Sequence, residues 1–139
     1  MVPVVCSKCG ASSAVEAYPS INTAQNPELK ARVLDVCDAL ERGDYETVGE
    51  MMYQTHFGMS KLYEVSCEEL DFLNKLARKM DVTGSRVMGG GFGGCTINLV
   101  KKDLYQPFVD AAVEQFTAKF GHAPKVYDVV ISDGARKLD

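Results

Sequence analysis

A run of five glycines in six residues, 89–94, constrains the fold of this chain more than any other feature. Glycine loses more conformational freedom on folding than any other residue, so such a run must provide something that a side chain would prevent. Glycine reaches backbone angles with positive φ, and without Cβ it lets the main chain approach a ligand or another segment closely. Phe92 interrupts the run and is an odd choice for a tip that is merely solvated.

The hydrophobic period changes from 3.6 to 2 just before the glycines. Upstream, apolar residues recur at helical spacing in three segments, whose predicted starts are Asn26-Pro27, Asp44 and a capping box from Ser66 to Glu69. The residues predicted to face inward are, segment by segment, Leu29, Val33, Val36, Cys37 and Leu40; Val48, Met51, Met52, Thr55, Met59 and Leu62; and Leu70, Leu73, Leu76, Ala77 and Met80. Downstream, residues 85–88 and 95–100 have the pattern of short strands on either side of the glycines.

A fourth helix is predicted from Asp103 to Gly121, and a last strand over 125–131. The order α-α-α-β-β-α-β predicts an α+β fold, with a mixed or largely antiparallel sheet and helices packed on one face. Residues 1–25 are predicted to be an irregular N-terminal segment, with at most an edge strand at Val2–Val5, and residues 26–139 to be the folded domain.

Composition excludes several classes of protein. The formal net charge is −4 with no block of like charge, which argues against a nucleic acid or an anionic membrane as partner. No run of 18 apolar residues occurs, and we expect no secretory signal at the N-terminus. The five cysteines are odd in number and lack framework spacing, which favours reduced thiols and a cytoplasmic location. Cys6 and Cys9 form half a zinc site at best, since no second pair or nearby histidine accompanies them, and we predict no metal ligands.

Three known glycine loops do not fit. Gly89, Gly91 and Gly94 match G-x-G-x-x-G, but a dinucleotide fold needs a helix to begin at the third glycine, and a strand follows here. A protein-kinase loop requires Val-Ala-Ile-Lys, His-Arg-Asp and Asp-Phe-Gly downstream, and a Walker loop requires Gly-Lys-Ser/Thr; all are missing. A plain flexible hairpin loop remains open at this point.

The segment 85–100, Ser-Arg-Val-Met-Gly-Gly-Gly-Phe-Gly-Gly-Cys-Thr-Ile-Asn-Leu-Val, resembles the third conserved motif of GHMP sugar kinases in its galactokinase form. The segment 63–71, Tyr-Glu-Val-Ser-Cys-Glu-Glu-Leu-Asp, resembles another stretch of that family, and residues 43–56 resemble the helix before it. Val126-Tyr127 with the closing segment 132–136 resembles the galactokinase ending. The resemblance covers about residues 29–138.

This resemblance implies the C-terminal domain of a GHMP kinase, with a ferredoxin-like split βαβ fold. Galactokinases transfer the γ-phosphoryl group of ATP to the C1 hydroxyl of galactose with Mg²⁺. In the family the sugar-binding motif, the serine-rich phosphate loop and the catalytic Asp and Arg lie in the N-terminal half, and this sequence contains none of them. We therefore expect a chain that is inactive alone, binds neither ATP nor Mg²⁺ tightly by itself, and needs a missing N-terminal kinase domain as partner.

The resemblance also implies what the loop does. In the family it lies at the mouth between two domains and supports the ATP-phosphate loop, and the positions that match are Gly89, Gly90, Gly91, Phe92, Gly93, Gly94 and Cys95. A side chain at Gly90, Gly91 or Gly93 would hold the two backbones apart. No catalytic residue is assigned in this chain.

Residues with reactive or bulky side chains have structural interpretations beside the functional ones. Phe92 is either a hydrophobic anchor or a substrate contact, and both alternatives are open. His56 is expected to make a local hydrogen bond, with a ligand role as the alternative, and Cys95 to be a packed thiol. Asp133 is expected to stabilise the closing turn, and Arg136 could pair with a carboxylate.

A rival hypothesis from another class is a free-standing binding or regulatory module on the same scaffold. Such a module would hold a small molecule, or form a homo-oligomer through the apolar face that a second domain would otherwise cover.

Overall fold

The computed structural model describes residues 2–5, 12–15 and 35–129. The chain divides into two compact units, 1–43 and 44–139, which are described separately below. The predicted helix start at Asn26, the predicted boundary between residues 25 and 26, and the closing segment 130–139 with Asp133 and Arg136 lie outside the described residues.

The first unit contains a small hairpin. Strands β1 (Val2–Val5) and β2 (Ser12–Val15) pair antiparallel, with Val2 opposite Val15. The first strand was predicted and the second was not. Residues 35–41 are helical and are called α1; within it Ala39 is buried, whereas Leu40, predicted to face inward, is half exposed.

The second unit begins with a helix that continues into a π-helical turn. Helix α2 (Tyr45–Phe57) starts at the predicted cap, where the Asp44 carboxylate accepts a hydrogen bond from the Thr47 N–H at 3.1 Å. The π-helical turn Gly58–Leu62 follows directly. Its extra residue per turn is a feature often found near functional sites.

The buried face of α2 differs from the prediction. The predicted stripe included Val48, which is buried, and Leu62, which is 79% exposed; the other residues buried on α2 were not in the stripe, and they are Gly49, Tyr53 and His56. Gly49 is buried because α2 comes very close to the residue before the next strand: a Cβ at Gly49 would overlap the carbonyl oxygen of Thr83. The buried face of α2 thus contains two polar side chains, those of Tyr53 and His56.

Helix α3 (Glu68–Lys79) begins one residue later than predicted. Cys67 is its N-cap, with extended backbone and no side-chain cap hydrogen bond, so the predicted capping box between Ser66 and Glu69 is wrong. The predicted inward face is confirmed, with Leu70, Leu76 and Ala77 buried.

Strands β3 (Gly84–Val87) and β4 (Thr96–Leu99) form an antiparallel hairpin, as predicted, with Val87 opposite Thr96. Helix α4 (Lys102–Phe120) follows and ends at Gly121, whose φ of 77° gives the predicted left-handed cap. The main core is apolar and joins α3 to α4; its buried members are Leu76, Ala77, Val82, Phe108 and Ala112.

The helices and the antiparallel hairpin confirm an α+β fold. The predicted last strand, 125–131, is wrong over its described part: residues 123–129 carry no strand. Val126, Tyr127 and Val129 are 48%, 65% and 74% exposed, so this segment lacks the buried face that stabilises a strand. Among the described residues, no helix is long and apolar enough to cross a membrane.

Candidate functional site around the glycine loop

The glycine loop, residues 88–95, closes the β3–β4 hairpin. The Met88 N–H donates to the Cys95 carbonyl at 2.9 Å, which extends the hairpin pairing to both ends of the loop. Five loop residues have positive φ, a region that residues with a Cβ rarely adopt, and they are Gly89, Gly91, Phe92, Gly93 and Gly94. The glycines therefore adopt a backbone conformation that other residues would adopt only with strain.

One side of the loop is packed against the segment that precedes α3. The Phe92 N–H donates to the Val65 carbonyl oxygen. A Cβ at Gly91 would overlap that oxygen and lie 2.8 Å from the Val65 Cβ. The close approach that the glycines were expected to permit is therefore made at Gly91 to a segment of this same chain.

The other side of the loop faces open space. A Cβ at Gly90 or Gly93 would have no heavy atom of this chain within 4 Å. Phe92 adopts a φ of 62° and its side chain is 79% exposed, so it is not a hydrophobic anchor among the described residues. Met88, at the base of the loop, is 51% exposed. Apolar side chains held outward on a strained backbone are typical of a surface that meets something else.

A buried histidine lies directly behind the loop. His56 is 5% exposed, and its Nδ1 accepts a hydrogen bond from the Val87 N–H at 3.2 Å. Because a backbone N–H can only donate, the ring proton is on Nε2, which faces Asp71 Oδ1 at 3.1 Å. The predicted local hydrogen bond of His56 is wrong, since both partners lie on other elements.

Asp71 is held in turn by the π-helical turn. Its Oδ2 accepts from the Ser60 hydroxyl at 2.7 Å and lies 3.5 Å from Lys61 Nζ. Partial burial would raise the pKa of Asp71, but the neighbouring hydroxyls of Ser66 and Ser60 and the positive charge of Lys61 outweigh it and lower that pKa. The carboxylate is therefore ionised at neutral pH.

Burial lowers the pKa of His56, and it outweighs the opposing effect of Asp71. Cations also lie near the ring: Lys61, together with Lys75 and Arg78, lines a cleft of about 260 Å³ beside His56 and Asp71. The geometry agrees with a neutral ring, because protonated Nδ1 would point a second donor at the Val87 N–H.

Two buried side chains satisfy the outer edge of β3. Residues along an antiparallel pair alternate between bonding to the partner strand and pointing away from it, and Met88 bonds across the hairpin. The Val87 N–H and the Ser85 carbonyl therefore point to the outer edge. His56 accepts from the first, and Asn74 Nδ2 donates to the second at 2.7 Å. Sequence patterns missed both residues, because their partners are distant along the chain.

The structure brings all the predicted site residues, Gly89 to Cys95, into one loop. Cys95 is half buried with a free thiol. Among residues 35–129, no three His, Cys, Asp or Glu side chains gather where they could hold a metal ion. The described residues thus offer a shaped surface and a supporting polar network.

Comparison with known proteins identifies the family. Residues 37–119 match the family model described as the C-terminal part of GHMP kinases. This chain belongs to that family. The match begins within α1 and ends one residue before the end of α4, so it includes the whole glycine loop and the network behind it.

Curated relatives of this GHMP kinase chain are named galactokinase. It is 45% identical over 104 residues to the galactokinase of Pyrococcus furiosus, covering 75% of this chain and 30% of the relative. It is 44% identical over 108 residues to that of Clostridium beijerinckii (77% and 28%), and 39% identical over 112 residues to that of Thermotoga maritima (80% and 32%). The chain thus spans about a third of the length of the curated relatives it matches.

Proposed function

We propose that this chain serves as the C-terminal domain of a galactokinase, which transfers the γ-phosphoryl group of ATP to the C1 hydroxyl of galactose with Mg²⁺. The observation that carries the proposal is the glycine loop: its packed side is satisfied within the chain, while Gly90, Gly93 and Phe92 are turned outward. The galactokinase relatives match the chain over this region, and they do not favour a free-standing binding module.

The loop's outward side supports the ATP-phosphate loop of an N-terminal kinase domain in this proposal. Phosphoryl transfer depends on positioning and charge stabilisation, so a rigid backbone against the phosphate-holding segment contributes without a reactive group of its own. The described residues include no cluster that would hold Mg²⁺, and we assign the metal and the nucleotide to the N-terminal domain. We place the protein in the cytoplasm, because the described cysteines Cys37, Cys67 and Cys95 are free thiols.

The N-terminal domain is the proposed occupant of the apolar surface around the loop. Phe92 and Met88 are exposed there, and Leu62 and Tyr63, on the segment leading to Val65, are 79% and 59% exposed. The match covers about a third of each relative, so the part of each relative outside the match is more than twice as long as the part inside it. A further domain formed by that part accounts for the exposed apolar surface better than a second copy of this chain does.

A chimera tests whether this chain can serve as the C-terminal domain of a galactokinase. The segment of the Pyrococcus furiosus galactokinase that matches this chain is replaced by the corresponding residues of this chain, and ADP release is measured with and without galactose. We expect galactose-dependent release. A folded chimera that releases no ADP with galactose would overturn the proposal.

The role of the loop is tested in the same chimera with Gly90→Leu, because a side chain at Gly90 meets nothing within this chain. We expect turnover to fall at least tenfold with an unchanged unfolding midpoint. The matched control is Gly58→Ala, which also has open space around its Cβ but lies in the π-helical turn, and which should leave turnover unchanged. Unchanged turnover in Gly90→Leu would show that nothing approaches the loop.

A further inference from the structure

The polar pair His56 and Asp71 lies between the two attachments of the glycine loop. Its first attachment is the end of β3, where Val87 immediately precedes the loop. Its second is Val65, whose carbonyl accepts the Phe92 N–H. We infer that His56, oriented by Asp71, is a positioning residue that sets the conformation of the glycine loop.

The connection to the base of the loop is direct. The Val87 N–H points away from β4, and His56 Nδ1 accepts it at 3.2 Å. This bond fixes the peptide plane between Arg86 and Val87, and hence the direction in which the chain leaves β3. Because His56 is 5% exposed, water does not readily replace it, and its loss leaves a buried donor unsatisfied.

The connection to the packed side of the loop runs through Asp71. Its Oδ2 accepts from Ser60 in the π-helical turn, and the Val65 N–H donates to the Met59 carbonyl of the same turn at 2.9 Å. Val65 in turn bonds the Phe92 N–H and packs on Gly91. One carboxylate therefore orients the ring at the base of the loop and anchors the turn that holds its packed side.

This inference deepens the proposed function, because the loop in question is the proposed support for the ATP-phosphate loop. Its test uses neither ATP nor sugar, so it can fail while the chimera is active, and it can succeed while the chimera is inactive.

Two substitutions separate the two bonds of the ring. In His56→Asn the amide oxygen takes the place of Nδ1 and can accept the Val87 N–H, but the side chain is too short for Asp71. In His56→Gln the side chain reaches Asp71 but leaves no acceptor at Nδ1. The matched control is His122→Gln, since His122 contacts the Phe116 ring on α4, with centroids 5.4 Å apart.

Amide hydrogen exchange of this chain is the measurement, read at Val87, Met88 and Phe92 against the core amide of Ala77. We expect His56→Gln to raise exchange at the three loop amides at least tenfold more than at Ala77. His56→Asn should restore protection to within about threefold of the original chain, and His122→Gln should change nothing. Equal acceleration of loop and core, or no acceleration at the loop, would overturn the inference.

A second measurement needs no substitution and covers the case in which His56→Gln does not fold. The nitrogen chemical shifts of the His56 ring in the original chain report which nitrogen carries the proton. We expect an unprotonated Nδ1 and a protonated Nε2 at neutral pH. A proton on Nδ1 would exclude the Val87 bond and overturn the inference.

Discussion

The two sides of the glycine loop contrast sharply although they belong to one short run of sequence. On the packed side, Gly91 touches the Val65 main chain so closely that no side chain fits. On the open side, Gly90 has free space around it and Phe92 turns its ring outward. Within one motif, Gly91 is therefore required for packing inside this chain, whereas Gly90 has no such packing requirement.

The largest expected effect is that of Gly91→Ala. The added Cβ would overlap the Val65 carbonyl oxygen, and alanine would adopt a positive φ of 87°. Overpacking costs 1–3 kcal/mol and the left-handed conformation roughly a further 1–2 kcal/mol, so we expect a loss of about 3 kcal/mol in unfolding free energy. Urea unfolding followed by circular dichroism measures it. A loss below about 1 kcal/mol would mean that the Val65 segment moves aside to accommodate the added Cβ.

The second largest expected effect is that of lower pH, which should reduce the unfolding free energy through protonation of His56 behind the loop. Because the pKa of His56 is lowered from 6.5, the unfolded chain binds a proton that the folded chain resists. Unfolding free energy should be constant above pH 6.5 and fall as pH drops below it, by about 1 kcal/mol if the Val87 bond is what is lost. Asp71 and Glu69, whose pKa values are lowered from 3.8 and 4.5, add their losses only at more acidic pH.

The control for the pH prediction is His56→Asn, which removes the titrating ring. Its unfolding free energy should be flat between pH 6.5 and about 5.5, above the range in which Glu69 and Asp71 contribute. If the original chain is equally flat in that range, protonation of His56 does not destabilise the fold.

On the open side, Phe92→Gly should leave the unfolding free energy unchanged or raise it by up to about 1 kcal/mol. Glycine relieves the strain of the positive φ at Phe92, and a ring that is 79% exposed contributes little burial. Phe92→Ala, which removes the ring but keeps the strain, is the comparison in the same urea experiment. A loss above 1 kcal/mol in both variants would show that the ring packs within this chain.

The smallest expected effect is that of Gly90→Ala, within about 0.5 kcal/mol. Its Cβ meets nothing, and the backbone of Gly90 is outside the positive-φ region. Thermal unfolding of Gly90→Ala and Gly91→Ala, measured side by side, compares the two losses of stability directly. A loss comparable to that of Gly91→Ala would remove the distinction between the two sides.

The parts of the fold that follow from local pattern were predictable from the sequence. Asp44 caps α2, the apolar period of α3 marks its buried face, Gly121 ends α4, and alternation predicts the hairpin around the glycines. Each of these depends on residues within one or two turns of each other. The loop itself stood out because its glycine content is costly and its neighbours are strands.

The polar network could not be predicted, because its partners are far apart along the chain. His56 bonds Asp71, 15 residues away, and Val87, 31 residues away, and no helical or strand period records such pairs. The apolar alternation at 125–131 predicted a strand that its described part does not form. Alternation shows which residues could face a sheet, but it does not show whether a neighbouring strand is present. Val129 is 74% exposed.

The hydrogen bond between the Phe92 N–H and the Val65 carbonyl has a consequence for association. Because this bond and the Met88–Cys95 bond already hold the loop when the domain folds, a segment docking there, as we propose, would meet a main chain that is partly ordered beforehand. The exposed side chains of Phe92 and Met88 are still to be immobilised, which costs roughly 0.5–1.5 kcal/mol for each such side chain. Most of the entropy cost of ordering the loop main chain would then belong to folding of the domain and not to association.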